Sequence, residues 1–249
     1  MTKTLQIASL GAIVGSVARE SVTSTVEKRV KRRRGRLFTY EDFDDLPVTA
    51  VAPALSRLAA RGEIKRARKG IYYAPRRTVL GDVPPDPVVL GEAATRGRSY
   101  PAGLTAASIL GLTTQVPSRV ELAVEDKRPI SPRGVAYRPR TGTNRRGLRR
   151  REAALLEVLR DIPGLSDLSP DDTIRRLMDV IADKAARGRI MRAAISEPPR
   201  VRAMVGALAE EADADDADLM RLRKTLNPTT KFDFGPLTAL PTAKGWGAR

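Results

Sequence analysis

The chain has 249 residues, 45 Lys and Arg against 29 Asp and Glu, a formal net charge of +16, and neither Cys nor His. That length accommodates two compact domains, or one larger domain with extensions. Disulfides, thiolate zinc sites, Cys nucleophiles and every His-dependent triad or metal site are excluded. A Cys-free chain suits a reducing cytosol, and the excess of positive charge favours an anionic partner such as nucleic acid.

The charge is uneven. Residues 1–80 carry 17 basic and 7 acidic groups, and residues 127–151 carry 10 basic groups and no acidic one. Residues 1–23 read as an N-terminal extension. The apolar stretch LQIASLGAIVGSVA at 5–18 is too short and too interrupted by Gly and Ser to span a membrane, leaving a disordered extension or an early helix.

From Ser24 a Ser/Thr-rich start leads into VEKRVKRRRGRLF, where Val26, Val30 and Arg33/Arg34 recur at helical spacing and Gly35 is a stop. Consecutive helical residues point about 100° apart, so Arg32, Arg33 and Arg34 cannot all face one ligand. In FTYEDFDDL, Thr39 is an N-cap with Asp42 three residues on, predicting a short second helix that ends near Pro47. In VTAVAPALSRLAARGE, Val51, Leu55 and Leu58 share one face while Pro53, Ser56, Arg57 and Ala60 lie opposite. This predicts a third helix with Pro53 in or near its first turn and Gly62 as its end.

EIKRARKGIYYAP alternates apolar and polar residues around a basic tip with Gly70, the pattern of a two-stranded hairpin. Three helices followed by a hairpin predict a winged helix-turn-helix over residues 24–78. Its third helix would enter a major groove, making Ser56, Arg57 and Arg61 the base-reading candidates, with Thr49 near a phosphate. Lys65, Arg66, Arg68 and Lys69 of the wing suit phosphates or a minor groove. Tyr72 and Tyr73 point to opposite faces of the wing strand; one packs under the third helix and the other approaches a phosphate, with Tyr72 carried as the DNA-contacting candidate.

VLGDVPPDP at 79–87 reads as the interdomain linker. The region from 88 to 249 follows as a second domain. In its first part, 88–140, a short apolar helix ends at Gly111, and RVELAV and GVAYRP alternate as strands, predicting a small α+β unit. The basic, turn-rich run RPRTGTNRRGLRRRE places Arg138, Arg140, Arg145, Arg146, Arg149 and Arg150 on a possible second basic surface, for nucleic acid or an acidic partner. Residues 148–226 read as helical. The clearest helix there is LSPDDTIRRLMDVIADKAARG, with Ser169 as cap, Pro170 at its first position, Asp171 and Asp172 in its first turn, and Ile174, Leu177, Met178 and Ile181 on one face. Residues 227–249 form a tail. The fold class is α+β: an N-terminal winged helix-turn-helix, then a mixed α/β part, then a largely helical part.

The carboxylates at Asp42, Asp44 and Asp45, at Asp171 and Asp172, and from Glu210 to Asp218 are explained by capping and solvation, and no phosphate-binding glycine motif is present. No enzyme, metal or cofactor is expected. An RNA-binding or ribosome-associated protein is the alternative reading, disfavoured by an aromatic content of 4%, which leaves few stacking platforms.

LSRLAARGEIKRARKGIYYAP at 55–75, ILGLTTQVP at 109–117 and FDFGPLTALPTAKGW at 232–246, in that order, resemble the AbiEi family of antitoxins. The resemblance spans roughly residues 24–246. It implies a winged helix that binds the promoter of its own operon and represses it, a C-terminal domain carrying antitoxin activity, and a neighbouring nucleotidyltransferase-type AbiEii toxin as partner in a cytoplasmic phage-defence module. Pro53 inside the third helix and the first 20 or so residues depart from the family pattern.

Overall fold

The computed structural model describes residues 21–32, 36–79, 81–95, 98–125 and 131–249. The fold is α+β, with a winged helix-turn-helix, a mixed α/β part and a helical C-terminal half. The first-helix residues Arg33, Arg34 and Gly35 and nearly all of the N-terminal extension lie outside the described residues.

Helix α1 runs Val22–Arg32 and buries Val26 and Val30. Strand β1, Leu37–Phe38, leads to a single 3-10 turn, Tyr40–Phe43, in place of the short helix expected to end near Pro47. The Asp42 carboxylate accepts from the Thr39 backbone N–H at 2.8 Å, and Phe43 is buried. Pro47 follows only a few residues later and opens the next helix, so there is no room for a second turn.

Helix α2, Val48–Ala60, is the predicted third helix. Its apolar face is the expected one, since Val51, Ala54, Leu55 and Leu58 are buried. Pro53 departs from expectation: with Val48 as first residue it occupies the sixth position, in the second turn, so the carbonyl of Thr49 loses its i+4 donor. Strands β2, Lys65–Arg68, and β3, Ile71–Tyr73, form the wing hairpin, turning at Lys69 and Gly70, whose φ of +81° suits glycine. β3 lies between β1 and β2 in a three-stranded antiparallel sheet. Phe38, Phe43, Val51, Leu55, Leu58, Ile64 and Tyr72 close the core of this unit.

The predicted linker is partly structured. Strand β4, Arg76–Thr78, pairs antiparallel with β5, Gly81–Val83, closed by a Thr78 Oγ1 donation to the Gly81 carbonyl at 2.9 Å. The expected boundary at residue 78 therefore cuts a hairpin. The same Gly81 and Asp82 that read as linker composition lie in its second strand.

Helix α3, Pro87–Ala94, is N-capped by Asp86, which accepts from the Val88 N–H at 2.8 Å. It packs on a sheet of β6, Ser99–Pro101, β7, Val120–Val124, and β8, Val135–Pro139, ordered β6-β7-β8 with β6-β7 antiparallel and β7-β8 parallel. Helix α4, Gly103–Leu110, ends at Gly111 as expected. The largest core joins α4 to α5, Arg150–Asp161, α6, Pro170–Ile181, α7, Lys184–Ala194, α8, Pro199–Glu211, and α9, Asp216–Arg223. Ser169 caps α6 as expected, accepting from the Asp172 N–H at 3.2 Å.

The tail is part of this core. Phe234, Leu237, Leu240, Ala243 and Trp246 are buried in it, and the Trp246 indole lies directly over Gly206 of α8. A Cβ at Gly206 would fall 2.2 Å from the ring.

Candidate nucleic-acid interface

The solvent face of α2 carries Thr49, Pro53, Ser56, Arg57 and Ala60, all exposed, with Arg61 just beyond the last turn. Thr49 and Ser56 make no side-chain hydrogen bond or ion pair among the described residues. Arg57 donates to Thr23 Oγ1 at 3.0 Å, and Arg61 bridges Glu63 at 2.6 Å and Glu27 at 2.5 Å. Both arginines therefore also tie α2 to α1. The hydrogen bonds that Arg61 donates to Glu63 and Glu27 raise its pKa, burial opposing them.

The wing residues divide. Lys69, at the tip, is exposed and unpaired among the described residues. Arg66 is exposed, its guanidinium 5.9 Å from the centre of the Tyr72 ring. Lys65 pairs with Asp82 of β5 at 3.1 Å, and Arg68 turns back to donate to the Ala94 carbonyl at the end of α3, 3.0 Å away. Arg68 thus serves the wing's attachment to the following unit, satisfying a helix-terminal acceptor.

Tyr72 is not a surface contact. It is 2% exposed and belongs to the winged-helix core, whereas Tyr73 is the half-buried one. The physical reason is the pairing of β3: Tyr72 lies opposite Phe38 of β1 and Arg66 of β2, with its ring on the core side. Burial and a hydrogen bond with Tyr72 hold the Tyr40 phenol above its ordinary value. Tyr40 in turn lies against the wing tip, 3.3 Å from where a Gly70 Cβ would sit.

The run 138–150 forms neither a continuous second basic surface nor a wholly solvated loop, the two readings its composition allows. Arg145 is 1% exposed, with Nε 2.7 Å from Glu197 and Nη1 2.6 Å from Glu157, both carboxylates fully buried. Arg140 also clasps Glu157, at 2.8 Å, and Arg160 completes the cluster on Glu197 at 2.5 Å. Arg138 bridges Glu121 at 2.5 Å and Asp161 at 3.4 Å, and Arg150 approaches Glu92 at 3.5 Å. Buried carboxylates must be paired, and this run supplies the pairing cations. Burial drives the Glu157 pKa up, but the hydrogen bonds and charges of Arg140 and Arg145 outweigh it and hold the carboxyl below its ordinary range. Arg146 and Arg149 remain exposed.

The sequence reading misses two features. Arg76, exposed on β4, joins the wing's surroundings through a hairpin concealed by linker-like composition. Arg189 and Arg192 of α7 flank the turn at Arg146 and Gly147, a proximity across dozens of residues that no local pattern signals. Among the described residues no group of three or more acidic side chains is placed to hold a metal ion, and no helix is long and apolar enough to cross a membrane.

The profile of DUF6088, a family of unknown function, matches residues 25–141, covering the winged helix and the mixed α/β part. No curated protein matches the chain. The RV2827C protein from Mycobacterium tuberculosis has a crystal structure similar to this chain at 18% identity and a TM-score of 0.43, covering 83% of this chain and 82% of that one.

Proposed function

We propose that this chain is a cytoplasmic, non-enzymatic antitoxin that binds duplex DNA of its own promoter through the winged helix. In this reading α2 enters the major groove, with Thr49, Ser56 and Arg57 facing the DNA, and Arg66 and Lys69 hold the backbone. The carrying observation is the solvent face of α2, where Thr49 and Ser56 stand unpaired beside a wing whose tip carries a free Lys69. Hydroxyls and Arg forks on an exposed helix are the groups that bond base edges, and cations on an adjoining hairpin are suited to phosphates. Arg57 and Arg61 already have protein partners, so they contact DNA by exchanging or sharing those bonds. The antitoxin half of the reading rests on the three-motif resemblance. It assigns the region after residue 88 to opposing a nucleotidyltransferase-type toxin.

The test is a mobility shift on the DNA upstream of the chain's own gene, with random duplex and structured RNA as competitors, followed by co-expression with the neighbouring gene. Binding that resists both competitors, together with rescue of growth, supports the reading. Equal displacement by random duplex removes the repressor, displacement by RNA favours the RNA-binding alternative, and lack of rescue removes the antitoxin.

A further inference from the structure

A cleft of about 420 Å³ opens between the 144–147 turn and α7, lined by Asn144, Arg146, Gly147, Arg189, Arg192 and Ser196, with Ala193 and Ile195 as its apolar edge. No carboxylate is among its lining residues. Its size falls in the range of small-ligand sites, about 300 to 1,000 Å³. Its walls are fixed by specific bonds: Ser196 Oγ accepts from the Asn144 N–H at 2.9 Å and donates to the Ala193 carbonyl at 2.8 Å, pinning the turn to the end of α7.

The three guanidinia are differently prepared. Arg189 gives Nε and Nη2 to Glu152, at 3.0 and 2.6 Å, which fixes its plane and leaves Nη1 uncommitted. Arg146 and Arg192 are exposed and make no side-chain hydrogen bond or ion pair among the described residues. Arg rather than Lys on every side supplies planar forks that match phosphate oxygens two at a time. Arg189 is already balanced by Glu152, whereas Arg146 and Arg192 face the same concavity with no carboxylate to offset them, and an anion bound there would relieve their repulsion.

We propose that this cleft binds a phosphate ester, held between Arg146, Arg192 and the free Nη1 of Arg189, with Ile195 alongside the organic moiety. The phosphate belongs either to a free nucleotide or to a nucleic-acid backbone. The site lies in the half of the chain remote in sequence from the wing, so it stands or falls independently of DNA binding by α2.

The test uses the full chain and two double variants, R146A/R192A in the cleft and R66A/K69A in the wing, each checked for an unchanged thermal melt. Adenosine monophosphate is titrated by calorimetry, and a random duplex by fluorescence anisotropy at several salt concentrations. A poly-glutamate peptide serves as the acidic-protein probe. If the ligand is a free nucleotide, R146A/R192A weakens monophosphate binding at least tenfold while R66A/K69A leaves it intact. If it is a backbone phosphate, R146A/R192A weakens duplex binding in both the wild-type and the wing-variant background, and the salt slope falls by roughly 0.9 for each phosphate no longer neutralised. Unchanged binding of both phosphate probes by the cleft variant overturns the proposal, as does poly-glutamate displacing them at equal charge concentration. Loss of duplex binding in the wing variant alone, with monophosphate binding also unchanged in R146A/R192A, would uphold the winged-helix reading while refuting the cleft.

Discussion

Gly206→Ala tests how the tail holds the helical domain. In an ordinary helix interior, replacing Gly by Ala stabilises by about 1 kcal/mol. Here the new Cβ would sit 2.2 to 2.4 Å from three atoms of the Trp246 indole, which cannot yield without leaving its place. The indole is 3% exposed, with its Nε1 donating to Glu210 and its ring 4.1 Å from the Arg223 guanidinium. Losing the burial of a large aromatic costs about 3 to 5 kcal/mol. Net destabilisation is then about 2 to 4 kcal/mol, which for a chain of this size lowers Tm on the order of 5 to 15 °C. Trp246 is the single tryptophan, so its emission reports the displacement directly and should shift to the red. In a Trp246→Ala background the steric term disappears and Gly206→Ala should stabilise by about 1 kcal/mol, reversing its sign. A G206A variant with unchanged Tm and unshifted emission refutes the packing argument.

Glu157→Gln strips one charge from a buried cluster and leaves Arg145 underpaired, so chemical denaturation should show a loss of about 3 to 5 kcal/mol at neutral pH. Because the folded pKa of Glu157 is depressed, its contribution is full above the unfolded value of 4.5 and is lost as pH falls through the lower folded value. The wild type should therefore lose stability more steeply below pH 4.5 than E157Q, and parallel acid limbs would contradict this. Tyr72→Phe should leave duplex affinity within about twofold, since the ring is core, whereas a tenfold loss without destabilisation would restore Tyr72 as a DNA contact. Pro53→Ala restores a donor for the Thr49 carbonyl in the second turn of α2 and should raise stability by about 1 to 2 kcal/mol; a lower Tm would show that Pro53 makes contacts the helix needs.

The sequence makes some of this architecture readable and hides the rest for definite reasons. Val51, Leu55 and Leu58 recur at the helical period, and Gly70 between alternating strands marks the wing, so local pattern suffices for α2 and the hairpin. Strand alternation shows that Tyr72 and Tyr73 face opposite ways but not which faces the core. That choice is made by β1, which pairs Phe38 with Tyr72 from outside the hairpin. A basic run likewise reveals nothing of its acceptors. Arg145 meets Glu157 and Glu197, 12 and 52 residues away, and only folding converts an apparent surface charge into a fully enclosed cation. Pro, Gly and Asp at 79–87 signal turns, and a turn can belong to a hairpin as readily as to a linker.

The central claim is that α2 and the wing tip read duplex DNA. It is tested most directly by anisotropy of a labelled duplex from upstream of the gene, comparing wild type with a variant carrying Ser56→Ala, Arg66→Ala and Lys69→Ala. All three side chains are exposed, and only Arg66 reaches the core, against the Tyr72 ring, so the variant should melt close to the wild type, yet bind at least a hundredfold more weakly and with a shallower salt dependence. Affinity and salt slope matching the wild type would contradict the claim.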